Sequence, residues 1–161
     1  MLRLSTRFTG LAAGLTLMLL FALSAAAEGR RWIADSGDDV ATLIYGTPES
    51  DDMVLSLTCE RASKTLTIWF APQPVPAKAP ASLPLTLSSE AGRLQLTAAG
   101  SHSDLDDSYS LQVQTPLTQE LEKLLIGAHK LSVKVENRAT DMAIDDVALK
   151  GAEELVAACR P

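Results

Sequence analysis

An antiparallel β-sandwich or small barrel carrying two short helices is the fold this sequence predicts. Hydrophobicity alternates with a period of two through most of the chain, turn-forming residues separate the alternating runs, and only two stretches show a helical period. Leu55, Leu57 and Cys59 share one face of a strand, with Ser56, Thr58 and Glu60 on the other. Leu66, Ile68 and Phe70 alternate in the same way with Thr65, Thr67 and Trp69. Similar runs place Leu94 and Leu96 against Arg93, Gln95 and Thr97, and Leu111 and Val113 against Ser110, Gln112 and Gln114. Leu131, Val133 and Val135 form one more such face, and 41–45, 83–87 and 144–149 are shorter candidates. Alternation of this kind sets one face in the core and one in water, as antiparallel sheets do. About seven or eight such strands suit a sandwich and a barrel equally.

The first helix is expected over 116–126. Thr115 can cap it, Pro116 suits its first position, and Leu117, Leu121, Leu124 and Leu125 line one face before Gly127 ends it. The second is expected over 152–158, where Ala152, Leu155, Val156 and Cys159 form one stripe. Between Ala71 and Pro84, Pro72, Pro74, Pro76, Pro80 and Pro84 make a stiff connection rather than a central strand.

Residues 1–27 have the form of a cleavable export signal. Arg3 and Arg7 give a positive start, Leu11 to Leu23 an apolar run, and Ala25-Ala26-Ala27 a small-residue cleavage site. The expected mature chain is a single β-rich domain over 28–161, periplasmic or secreted. No later stretch approaches the roughly 20 apolar residues of a membrane-spanning helix. The net charge is −6, and loss of the two leader arginines makes the remainder more acidic still. Such a surface disfavours nucleic acid and anionic lipid as partners. Cys59 and Cys159 are the chain's two cysteines, and in an oxidising compartment they are expected to pair. Each points inward by the pattern of its own element, which supports the pairing.

Candidate chemistry is sparse. The histidines are His102 and His129, and no nucleophile-elbow motif occurs. Gly100-Ser101-His102-Ser103-Asp104 sets three triad residue types side by side, but triads are assembled from distant segments, so the stretch reads as a polar hairpin loop. His102, Asp104, Asp106 and Asp107 are weak candidates for a surface metal site without the spacing of an EF-hand loop. Asp38-Asp39, Asp51-Asp52 and Asp145-Asp146 fit turns. His129, just past the helix stop, suits the negative end of a helix dipole. No catalytic residue and no cofactor are expected. Trp69 and Trp32 are the candidate binding-surface residues. Trp69 stands among threonines opposite the apolar face, either exposed as an anchor or covered by the proline segment or the N-terminal strand. Trp32 is expected to pin that first strand to the domain.

A tryptophan opens the mature domain, Leu57-Thr58-Cys59 sits on an early strand, and the chain closes as Leu149-x-Gly151-x-x-x-Leu155-x-x-x-Cys159. This combination resembles small bacterial periplasmic proteins of the type VI secretion-associated and invasion-associated protein B families. The resemblance implies a β-rich, non-enzymatic accessory protein of the envelope, and it brings no catalytic residues. The leading expectation is therefore an exported, non-catalytic binding or accessory protein whose partner is another exported or envelope protein. The alternatives are an inhibitor of a basic enzyme such as a lysozyme, and a metal-dependent hydrolase using the 102–107 loop. The sequence leaves the oligomeric state open.

Overall fold

A computed structural model describes residues 29–73, 80–105 and 107–161; the expected export signal over 1–27, Pro74, Pro76 and Asp106 lie outside them. The alternating runs become nine antiparallel strands: β1 (Arg31–Ser36), β2 (Val40–Gly46), β3 (Met53–Glu60), β4 (Thr65–Phe70), β5 (Ser82–Ser89), β6 (Gly92–Ser103), β7 (Ser108–Pro116), β8 (Lys130–Val135) and β9 (Arg138–Ala143). They form one sheet in the order β1-β2-β3-β4-β7-β6-β5-β8-β9, curled into a half-barrel. Of the two forms the sequence leaves open, the structure is nearer the barrel, with β1 and β9 as its edges.

The registers show why the alternation is so regular. Trp32 lies opposite Tyr45, Tyr45 opposite Leu55, Leu55 opposite Phe70 and Phe70 opposite Leu111. The next inward row runs from Leu43 through Leu57 and Ile68 to Val113. A slip of one residue would turn every member of these rows to water, so the pattern itself fixes the pairing. Two-residue turns at Glu90-Ala91 and Glu136-Asn137 join β5 to β6 and β8 to β9. At Gly100 on β6 a Cβ would collide with the Tyr109 ring and with Pro80 O. The bare glycine lets the Tyr109 hydroxyl cross the strand and donate to Pro80 O at 2.7 Å. Burial pushes the pKa of this phenol up, which keeps it a donor.

Both helices cover the inner face. α1 (Gln119–Leu125) buries Leu121, Leu124 and Leu125 against β5 and β6. It starts later than the expected 116. The ladder of β7 with β4 runs on to Pro116, which lies opposite Thr65, and proline favours an extended residue before it, so Thr115 stays in the strand. Thr118 caps instead, its hydroxyl accepting from the Leu121 N–H at 3.2 Å. Gly127, at φ 74°, follows the last turn as expected.

α2 (Asp146–Cys159) is twice the length expected from 152–158. The stretch 144–149 is not a strand. Asp145 caps a helix there, its carboxylate accepting from the Ala148 N–H at 2.9 Å, and the helix runs straight through Gly151. That glycine is a packing device: a Cβ would sit 2.6 Å from the Ala34 Cβ and 2.8 Å from Leu43 Cδ1. The ninth strand, missed in the sequence, supplies the β9 edge.

The Cys59–Cys159 disulfide is present, with Cα atoms 5.7 Å apart and both residues buried. It closes a separation of 100 residues, and a loop of that size contributes about 4 to 5 kcal/mol in the chain-entropy picture. Cys159→Ser, or reduction, is expected to lower stability by about 2–4 kcal/mol, read as a fall in denaturation midpoint with and without reductant. Unchanged melting would mean that the bond contributes nothing to the folded state.

The two sheet edges are linked through Trp32. Its ring is buried, stacks at a tilt on Tyr45 with centroids 5.2 Å apart, and donates from Nε1 to Ala143 O, the last carbonyl of β9, at 2.6 Å. Trp32→Phe keeps most of the apolar surface and removes that donor. A loss of about 1 kcal/mol in chemical denaturation is expected, because a partly buried hydrogen bond is removed while the carbonyl keeps access to water.

Candidate binding surface on the outer sheet face

The outer face of the sheet carries what the inner face does not use. Alternation along β4 sends Trp69 outward, where it is half-buried between Ser56 of β3 and Gln112 of β7. The same transverse row continues through Ile44 of β2 to Ile33 of β1, both half-buried. Thr58 and Thr67 flank it, and the Ser56 and Thr58 hydroxyls lie 3.3 Å apart. A large ring is thus framed by small hydroxyl and amide groups, with two isoleucines extending the apolar path toward the β1 edge. Such a surface can offer stacking and apolar contact at its centre and hydrogen bonds around it.

One end of this face is fixed by a polar knot. Asp52, after the β2–β3 turn, accepts from Arg30 Nε and Nη2, both at 2.9 Å, and from the Thr47 hydroxyl at 2.8 Å. Arg30 Nη2 also donates to Gln73 Oε1 at 3.2 Å. The Arg30 bond and the Thr47 hydroxyl hold the Asp52 carboxyl below the usual carboxylate range. Beside the knot, the Ala71 N–H donates to Val54 O at 2.9 Å, and Val54 and Pro72 are buried. The proline connection thus begins as a continuation of the β3–β4 ladder.

Of the two tryptophans singled out in the sequence, only Trp69 is on a surface; Trp32 belongs to the core. Gly100 to Ser103 are part of β6 rather than a loop, because they pair with 108–111 of β7. His102 Nε2 lies 3.6 Å from Asp104 Oδ1 and 3.5 Å from Asp107 Oδ1, but both carboxylates are almost fully exposed. Among the described residues, no group of three or more histidine, cysteine or acidic side chains is arranged to hold a metal ion. Leu105, 99% exposed at the tip of this hairpin, adds no wall to it. Cys59 and Cys159 are taken up by the disulfide.

Two features had no clear trace in the sequence. One is the open edge of β1, where Arg31, Ile33 and Asp35 face outward. The other is a groove beside that edge, lined by Ala34 and by Asp146, Val147, Lys150 and Glu154 of α2. A strand reading of 144–149 hid the helix that forms it.

No known family model, curated protein or solved structure matches this chain.

The Asp52 knot gives a pH dependence of definite sign. Asp141 adds to it, its carboxyl lowered by Ser132 first and by the Lys130 ammonium at 3.0 Å second. A carboxylate whose pKa is lower folded than unfolded stabilises the protein above its unfolded pKa, and loses that effect as pH falls through the folded value. Urea midpoints are expected to be level from about pH 7 to 5 and to decline below about pH 4. In Arg30→Ala that decline should be shallower, because the Asp52 pKa returns toward its unfolded value.

Proposed function

We propose that this chain is an exported accessory protein that binds another envelope protein through the outer sheet face centred on Trp69. The observation that carries the reading is the half-exposed Trp69 ring among serine, threonine and glutamine side chains. A tryptophan half-open to solvent at the middle of a rigid sheet suits an interface anchor, since little side-chain freedom remains to be lost on binding. The Cys59–Cys159 bond is compatible with an extracytoplasmic compartment, and no helix among the described residues is long and apolar enough to cross a membrane. The export signal read in residues 1–27 and the likeness of the domain ends to periplasmic accessory proteins support the same reading. A net charge of −6 favours one particular partner class, a basic enzyme such as a lysozyme that the chain would inhibit.

Affinity capture on envelope extract, run in parallel with wild type and Trp69→Ala, tests the reading. A saturable partner should be retained by the wild type and weakened by about 2 kcal/mol, roughly 30-fold in Kd, in the variant. The variant should stay folded with a modestly lower melting temperature, because the half-buried ring gives up some cross-strand packing but lies outside the inner core. A partner held equally by both proteins would move the interface elsewhere. Inhibition of a basic lysozyme that fades with added salt would select the inhibitor role.

A further inference from the structure

We infer that the chain forms a two-fold dimer by pairing β1 with β1 of a second copy, extending the sheet across the dyad. This goes beyond the Trp69 reading and does not depend on it. β1 is the end strand of the sheet, and among the described residues no backbone group beyond β2 pairs with it. An unpaired edge is a template for another strand unless something blocks it, and natural edges are blunted by charged side chains, proline, a bulge or a covering helix or loop. β1 has no proline and no bulge, and its two outward charges are of opposite sign. Its outward side chains are Arg31, Ile33 and Asp35, with both charges exposed and neither in an ion pair within the described chain.

Their order is self-complementary. In an antiparallel pairing of two copies centred on Ile33, each Arg31 lies opposite the other copy's Asp35, and Ile33 meets its own equivalent on the dyad. Residues directly opposite must share a face, so the neighbouring allowed registers are displaced by two residues of pairing, and none of them sets Arg31 against Asp35. The central register also joins the Ile33–Ile44 row of one copy to that of the other, making one apolar path across the junction. On the inner side, small Ala34 falls opposite the bulky Trp32 of the second copy. A groove of about 420 Å³ lined by Ala34 and α2 lies beside that edge.

The β9 edge lacks this match. Its outward charge, Asp141, is already held by Lys130 at 3.0 Å, and no basic residue shares its outward face. A second copy is therefore favoured at β1 over a head-to-tail chain through β9.

Sedimentation velocity on the purified protein, from about 1 to 100 µM, should show a concentration-dependent species of twice the mass of one chain. Arg31→Asp and Asp35→Arg should each weaken the dimer at least about tenfold, since each places like charges opposite each other twice. The double variant, with the charges exchanged, should regain it. An equimolar mixture of the two single variants should form a heterodimer, because the all-acidic edge of one meets the all-basic edge of the other. Circular dichroism melts confirm that each variant is folded. A wild type that stays monomeric over this range overturns the inference, as does a dimer indifferent to both reversals. Failure of both the double variant and the mixture to restore association also overturns it.

Discussion

The disulfide between Cys59 and Cys159 anchors the helix on which the rest of the fold depends. A curled nine-stranded sheet that does not close leaves its inner face to be covered by something else, and α2 covers the β1–β3 half of it. The helix gets close because its buried side chains are small where it crosses β1 and β2: Ala148, Gly151 and Ala152. Small side chains give little buried area per residue, so position has to be secured at the ends. At the start, Asp145 caps. At the finish, the helix has no basic residue in its last turn, and Lys64 from the β3–β4 turn donates to Ala158 O at 2.9 Å. Arg160 pairs with Glu122 of α1, and the disulfide ties the final residue of α2 to the middle of the core. A covalent bond, a lysine and an ion pair converge within one turn, and α1 is drawn into the same assembly.

The openness of the barrel follows from the same helix. The segment after β9 turns at once into α2, and Ala143, the last residue of β9, is where Trp32 of β1 reaches across with its indole N–H. The two edges are thereby linked by a side chain rather than by a ladder of backbone bonds. A closed barrel removes its edges; this one keeps β1 available, with the filled interior holding the strand rigid behind it.

The pattern of half-burial was legible in the sequence because it is written residue by residue. Leu55, Leu57, Cys59, Leu66, Ile68 and Phe70 face inward as their spacing requires, and the inward direction of both cysteines was readable before any pairing was known. What was not legible depended on competition between local signals. Pro116 reads as a helix start, but the five residues before it in β7 pair with β4 and hold it in the ladder. Asp145-Asp146 reads as a turn and the second helix as starting only at Ala152, yet the aspartate is a cap and Gly151 a contact surface inside the helix. β9 was missed because its inward face carries Arg138 and Thr140, with Met142 as its one large apolar residue. Trp69 could be placed on the outer face by alternation alone, whereas its degree of exposure depended on tertiary neighbours that no local pattern encodes.

Function has to be sought in what the fold leaves over. Inner-face residues are explained by packing, and conserving their volume is reason enough for their identity. The His102 hairpin offers charge without enclosure: its carboxylates are nearly fully solvated, and water competes with any ligand they could attract. The outer face differs in kind. A half-buried tryptophan and two half-buried isoleucines in one row leave part of their apolar area facing water. The row runs from Trp69 past the small, buried Ser56 to Ile44 and Ile33 at the open edge. This row leads from the centre of the sheet to the strand whose outer edge is unpaired among the described residues, so a protein seated on the face and a second copy seated on the edge would lie side by side. Their binding would then be coupled, since each would bury part of the surface that the other exposes at its margin.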